Sequence, residues 1–249
     1  MSGHSKWSSI RHRKGAADAK RGQLFSKLIK EVTVAARLGG GDPAGNPRLR
    51  AALAAARAAN MPAENLERAI KKGTGELPGV AYEEVTLEGY GAGGVAILVQ
   101  TLTDNRNRTV SELRSLFSKN GGNLAEAGSV SWMFEKKGVI LVEQDRAKEE
   151  ALLEAALEAG AEDMKQEGGF FEITARPEDF EAVKEALTAK GIPLSSAGVT
   201  QVPKMTLRLQ GKSAQQILRL MEALEDHDDV QHTYANFDIP ESVMQEATA

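Results

Sequence analysis

The chain has 249 residues, 41% hydrophobic and 27% charged, with no cysteine; this suits one large globular domain or two to three small ones and excludes disulfides, thiolate metal sites and cysteine nucleophiles. No apolar run approaches the roughly 20 residues that a membrane-spanning helix needs. The net charge of −4 hides a split: residues 1–75 hold 15 Lys and Arg against 5 Asp and Glu, a surplus of +10, which leaves −14 on residues 76–249.

The chain opens on a basic arm. Arg11-His12-Arg13-Lys14 is followed by Gly15-Ala16-Ala17-Asp18, not by the apolar core of a signal peptide. A helix is then predicted at about 16–38. Leu24, Phe25, Leu28, Ile29, Val32, Ala35 and Ala36 fall on one face, and Lys20, Lys27, Lys30 and Arg37 lie roughly opposite, where they are expected to face solvent. Gly39-Gly40-Gly41 ends it, and Asn46-Pro47 offers an N-cap with proline at the first helical position. Two more helices follow at about 48–59 and 62–72, then a glycine- and proline-containing linker at 73–79. Strands are predicted at about 82–89 and 94–102, a helix at 109–119 opened by a capping box from Thr109 to Glu112, and a strand near 130–135.

Residues 138–203 carry a β-α-β-β-α-β succession: strands at 139–142, about 162–167, 170–174 and about 197–202, helices at about 146–159 and 177–190. That order is the split βαβ, ferredoxin-like pattern. What remains is a strand at 205–209, a helix from a Ser213 to Gln216 box through Leu224, and a strand at 231–239. This is too short to stand alone. The predicted fold class is therefore α+β: an N-terminal three-helix domain followed by two mixed α/β (ferredoxin-like) domains, one inserted in the other. The expected boundaries are 1–79 for the basic helical domain, 80–135 with 205–240 for a discontinuous α/β domain, 136–204 for the insert and 241–249 for a polar tail.

Few motifs carry chemistry. Gly89-Tyr90-Gly91-Ala92-Gly93-Gly94 lies between two strands and opens no helix, so it reads as a glycine-rich connection and not a dinucleotide fingerprint. Gly211-Lys212-Ser213 lacks the first glycine of a phosphate-binding loop, because Thr206 stands there. His227 and His232 are five apart within the acidic cluster Glu225, Asp226, Asp228 and Asp229, a spacing that does not suit a helical zinc pair. No catalytic constellation, metal or cofactor is expected. The arm from Ser2 to Lys14 is more informative, mixing hydroxyls, one aromatic and basic groups without an acid. Lys6, Arg11, Arg13 and Lys14 suit phosphate oxygens, and Trp7 suits stacking on an unpaired base. Lys20, Arg21, Lys27, Lys30 and Arg37 would extend that surface. Arg106 and Arg108, between a strand and a helix N-terminus, suit a second anion site, or else a capped turn.

Several blocks resemble the YebC family, whose mitochondrial relative is a translational activator of cytochrome oxidase. They are Gly3-His4-Ser5-Lys6-Trp7, the stretch Phe25 to Glu31, Met61-Pro62 with Asn65 to Gly73, Asp104 to Thr109, Asn120 to Leu124, and Gly128 to Phe134. Ala92 departs from the family, which usually places proline in that turn. The resemblance implies three domains, no enzymatic activity and a bacterial cytoplasmic protein beginning directly with its functional arm. It also implies either a DNA-binding transcriptional regulator or a translation factor on messenger RNA or the ribosome that relieves stalling. The expected partner is nucleic acid, DNA or ribosome-associated RNA, with no membrane partner. A protein partner on the acidic domains is open, and the chain is expected to be a monomer. An enzyme using an interdomain cleft, and a scaffold whose basic head binds an acidic protein, are the competing readings. No helix-turn-helix, zinc finger or basic zipper is evident, so structured RNA is at least as reasonable a target as duplex DNA.

Overall fold

Three hydrophobic cores form, each from a different sequence pattern. A computed structural model describes residues 18–240, with side chains from Arg21 onward except that of Glu167. The first core comes from period-3.6 stripes of small apolar residues on α1 (Asp18–Gly39), α2 (Pro47–Ala58) and α3 (Ala63–Thr74). Val32, Ala35 and Ala36 meet Leu49, Leu53, Ala56, Leu66 and Ala69 there. Leu24, expected in this core, is 44% exposed. Asn46 ties the bundle at its tightest bend. Its carboxamide oxygen accepts from Leu49 N at 3.0 Å, and its amide nitrogen donates to Ala35 O at 2.8 Å and Gly40 O at 2.9 Å. Gly73 lets α3 touch α1, since a Cβ there would lie 2.4 Å from the Thr33 carbonyl oxygen.

The second core lies under an antiparallel sheet ordered β3-β1-β2-β9. Its strands are β1 (Glu83–Tyr90), β2 (Ala96–Thr103), β3 (Asn123–Ala125) and β9 (Val230–Ala235). Helices α4 (Arg106–Lys119) and α7 (Gly211–Glu225) cover one face, where Ile97 and Val99 meet Leu113, Phe117, Ile217 and Met221. The other face packs Ala96 and Leu98 on Val130, Phe134 and Tyr234. A short parallel pair, β8 (Leu207–Arg208) with β10 (Phe237–Asp238), closes one end. The glycine-rich stretch after β1 is a single turn, Ala92–Gly94, leading into β2.

The third core belongs to β4 (Phe134–Glu143), α5 (Glu149–Glu158), β5 (Ala161–Glu167), β6 (Phe170–Ala175), α6 (Phe180–Ala189) and β7 (Ser196–Pro203). The strand order β5-β6-β4-β7, all antiparallel, is that of the ferredoxin-like fold. Both helices pack on one face, Leu152, Val183 and Leu187 against Ile140, Val142 and Ile173.

Most element types agree with the sequence pattern; the edge strand β3 was not anticipated, and the other differences sit at boundaries. The strands expected at 130–135 and 139–142 are one ten-residue strand, β4, preceded by a 3-10 turn at Ser131–Met133. Lys136, Lys137 and Gly138 interrupt its hydropathy, but pairing with β7 runs through all three. Helix α4 begins at Arg106, because the Asn105 side chain accepts from Arg108 N at 3.1 Å and caps it. Thr109 is therefore buried in the first turns, not a cap. Helix α7 starts at Gly211 without a side-chain cap, so Ser213 does not open it.

Replacing Asn46 with Ala removes an N-cap and leaves buried carbonyls without a donor. A loss of about 2–4 kcal/mol is expected from the cap and the orphaned groups together, read as a lower urea midpoint by circular dichroism.

Candidate nucleic-acid interface

Lys6, Trp7, Arg11, Arg13 and Lys14 lie outside the described residues, as does the side chain of Lys20. Arg21 is exposed, its guanidinium 6.0 Å from the Phe25 ring centroid. Of the rest of the α1 basic arc, Lys27 and Lys30 are half-buried against the body, and Arg37 is exposed but tied to it. Lys27 Nζ donates to Glu225 O at 2.5 Å, and Gln23 on the same stripe donates to Asp226 O at 3.3 Å. Those acceptors are carbonyls in and just past the last turn of α7, which carry the negative end of its dipole and lack partners within their own helix. Arg37 donates to Tyr82 O, just ahead of β1. Lys30 reaches furthest in, with Nζ 2.6 Å from Asp229 Oδ1, 3.0 Å from Asp228 O and 5.7 Å from the Tyr82 ring centroid. The expectation that Lys27 and Lys30 face solvent is thus corrected; Arg37 is exposed as expected, with its guanidinium on a carbonyl. Positive helix charges next to a desolvated carboxylate and a helix C-terminus dock on them in preference to bulk water.

Asp229 is the centre of that contact. It is 3% exposed. One oxygen takes Lys30, and the other accepts from Arg108 Nη2 at 2.8 Å and Thr109 Oγ1 at 2.7 Å, with Thr103 Oγ1 at 3.3 Å. Burial alone would push its pKa up, but the bonds from Lys30, Thr109 and Arg108 outweigh that and hold the carboxyl well below the ordinary carboxylate range. Arg108 also pairs with Asp104 at 2.9 Å, so its charge is structural and its predicted anion-site role is not supported by the geometry. The Asp229 and Asp104 carboxylates raise the Arg108 pKa further. A second tie between head and body is Arg48, which bonds Glu31 at 2.7 Å and Glu84 at 2.8 Å.

Open cations lie elsewhere. Arg57 at the end of α2, and Lys71 and Lys72 at the end of α3, are exposed, with no side-chain partner among the described residues. Arg106 is exposed too. It shares a groove of about 480 Å³ with Arg114, Asn107, Ser111 and Val110 of α4 and with Thr86 of β1. Arg114 was not anticipated. Placing the helix start at Asn105 would have revealed it, because 106, 110 and 114 then form one stripe.

A cleft of about 370 Å³ lies where head, central sheet and ferredoxin-like unit meet, lined by Arg48, Lys136, Thr200, Gln231, His232 and Tyr234. Loss of solvation among its converging walls pushes the His232 pKa down although an edge of the ring stays water-accessible, and burial pushes the Tyr234 phenol up to about 12. Tyr234 Oη donates to Gln100 Oε1 at 3.3 Å. Glu112, His227 and Asp229 offer donor atoms within 4.8 Å of one another. They are already engaged: His227 Nδ1 accepts from Asp229 N at 3.1 Å, which leaves Nε2–H to donate to Glu112 at 2.9 Å. No metal site is assigned there. No helix of the described residues is long and apolar enough to cross a membrane.

A helical head, a four-stranded sheet and a ferredoxin-like unit, locked through one buried acid, define an α+β chain of three units. Two family profiles match it, described as the TACO1/YebC protein N-terminal domain over residues 5–76 and the TACO1/YebC second and third domain over residues 82–237. The chain belongs to the TACO1/YebC family. A probable transcriptional regulatory protein of Desulforapulum autotrophicum is 60% identical over 243 residues, 98% of each chain. One from Geobacter sulfurreducens is 60% identical over 245 residues, 98% of this chain and 99% of that one. The crystal structure of a conserved hypothetical protein from Aquifex aeolicus superposes with a TM-score of 0.80 at 52% identity, covering 90% of this chain and 92% of that one.

Asp229→Asn leaves Lys30 and Arg108 facing a neutral group in a desolvated site, and a loss of about 3–5 kcal/mol is expected. Because the folded Asp229 pKa is depressed, its contribution is present above the unfolded value near 3.9 and is lost as pH falls below about 4. Urea midpoints across pH 7 to 2 should therefore fall more steeply below pH 4 in the unaltered chain than in the variant.

Proposed function

We propose that this chain is a non-enzymatic, nucleic-acid-binding regulator of gene expression that acts in the cytoplasm and docks phosphates through its basic head. In this reading residues 1–79 are the docking domain. Residues 80–135 with 205–240 form the body and 136–204 an insert within it, and their net negative charge disfavours broad contact with the polyanion. The observation that carries the reading is the charge split, +10 on residues 1–75 against −14 beyond. Docking of the head does not cancel it. Arg37 and Arg50 are bound to carbonyl oxygens, which carry no formal charge. Lys30 and Arg48 pair with acids of the body. Arg57, Lys71 and Lys72 then add to whatever the arm contributes. The naming of the relatives as transcriptional regulators supports the regulatory part of the reading.

One observation favours an RNA-associated, translational role over duplex reading. The α1 basic stripe is turned onto α7 and Asp229, so in this arrangement α1 cannot lie in a major groove with those side chains on base edges. Phosphate contacts without a groove-reading helix suit structured or single-stranded RNA at least as well.

Binding to duplex DNA and to structured RNA over a salt series is expected to give log–log slopes near −0.9 per bound phosphate on duplex and about −0.7 on single strands. The triple variant Arg57→Glu, Lys71→Glu, Lys72→Glu should weaken binding to every sequence and flatten the slope by about 0.7–0.9 for each phosphate no longer held. An unaltered slope would remove the head as the docking surface. In-cell crosslinking followed by sequencing of the recovered nucleic acid separates the two roles: promoter DNA for transcription, messenger or ribosomal RNA for translation.

A further inference from the structure

The groove beside α4 combines four features that the head does not explain. Arg106 and Arg114 both line it, and neither has a side-chain partner among the described residues. Eight helical positions separate them by roughly 12 Å along the axis. Asn107 and Ser111, between them on the same wall, add an amide and a hydroxyl. The opposite wall is a strand edge. β3 pairs with β1 only from Glu88 to Tyr90, so β1 from Glu83 to Leu87 has no strand partner on that side. The one carboxylate on the wall, Glu88, is already spent. It accepts from the backbone N–H groups of Gly128 at 2.7 Å, Val130 at 2.6 Å and Ser131 at 2.9 Å.

That same carboxylate fixes a loop whose Ala125 and Ala127 wall the groove. A buried acid with three backbone donors holds this wall in place, so the groove is formed at little conformational cost.

We propose that the groove between α4 and the open edge of β1 binds one single strand of nucleic acid through its phosphates, held by Arg106 and Arg114. This deepens the nucleic-acid reading above and rests on it. Arginines spaced along a helix, with an amide and a hydroxyl between them and no free carboxylate on the wall, suit the phosphates of one backbone held without sequence reading. The groove shares Thr86 with the cleft that holds Lys136 and Arg48, and that gives the strand an exit toward the head.

Fluorescence anisotropy of the full chain with a labelled oligouridylate of roughly ten nucleotides tests this across a salt series. Arg106→Gln with Arg114→Gln should weaken binding at least about tenfold and flatten the log–log salt slope by about 1.4, two phosphates at roughly 0.7 each. Both side chains are exposed, and circular dichroism should show the variant folded. If the variant binds like the unaltered chain while Lys71→Glu with Lys72→Glu still loses affinity, the groove is overturned and the head's role stands. No salt-dependent binding by the unaltered chain overturns both. A polyglutamate peptide that binds in place of the oligonucleotide, and is lost in the double arginine variant, overturns the nucleic-acid assignment in favour of strand addition at the β1 edge.

Discussion

A carboxylate buried to 3% exposure, more than a hundred residues from the groups that satisfy it, organises this molecule. Asp229 sits beside β9 and accepts from Lys30 of the head and from Arg108 and Thr109 of α4. Each partner alone would leave an expensive desolvated charge. Together they make the acid more comfortable ionised than protonated, and the carboxyl is held well below its ordinary range. The consequence is geometric. One stripe of α1, at positions 23, 27, 30 and 37, must face α7 and β1 for these bonds to form. The head's orientation on the body follows from that stripe.

That orientation decides which cations remain open. The basic residues nearest the α1 midpoint are used to hold the fold, and those at the far ends of α2 and α3 point away from the body. On the body, Arg108 is drawn in by Asp104 and Asp229 while Arg106, two residues earlier, is left at a groove. Adjacent arginines on one turn thus have opposite fates, one structural and one available, because helix periodicity points them to different faces. Among the described residues, open positive charge then includes the outer rim of the head and the α4 groove. The net negative charge of the body disfavours broad contact of a polyanion with the rest of it.

Much of the architecture could be read from the chain. The 3.6-residue stripes of α1 and α2, the Asn46-Pro47 cap and the β-α-β-β-α-β order all reappear. These rest on local periodicity and capping, which a sequence carries directly. The start of α4 was not legible, because Asn105 and Thr109 are both cap-forming residues. What separates them is Asp229, 120 residues from Thr109, which recruits the Thr109 hydroxyl into the core. Likewise nothing near Lys30 announces its partner 199 residues away. A charged stripe on an amphipathic helix reads as solvated or as a ligand surface, and its use as an intramolecular dock is a property of tertiary pairing. The arginine groove was half legible: Arg106 was seen as an anion ligand, and Arg114 was hidden by the misplaced helix start.

A double-mutant cycle on Lys30 and Asp229, with Lys30→Met, Asp229→Asn and both together, measures the anchoring contact directly through urea unfolding. The account predicts a coupling free energy well above 0.5 kcal/mol and toward the upper part of the roughly 0.5–3 kcal/mol seen for residues in one network. Additivity within about 0.3–0.5 kcal/mol would mean that head and body do not meet through this pair. The inward turn of the α1 stripe, and the assignment of open cations that follows from it, would then be wrong.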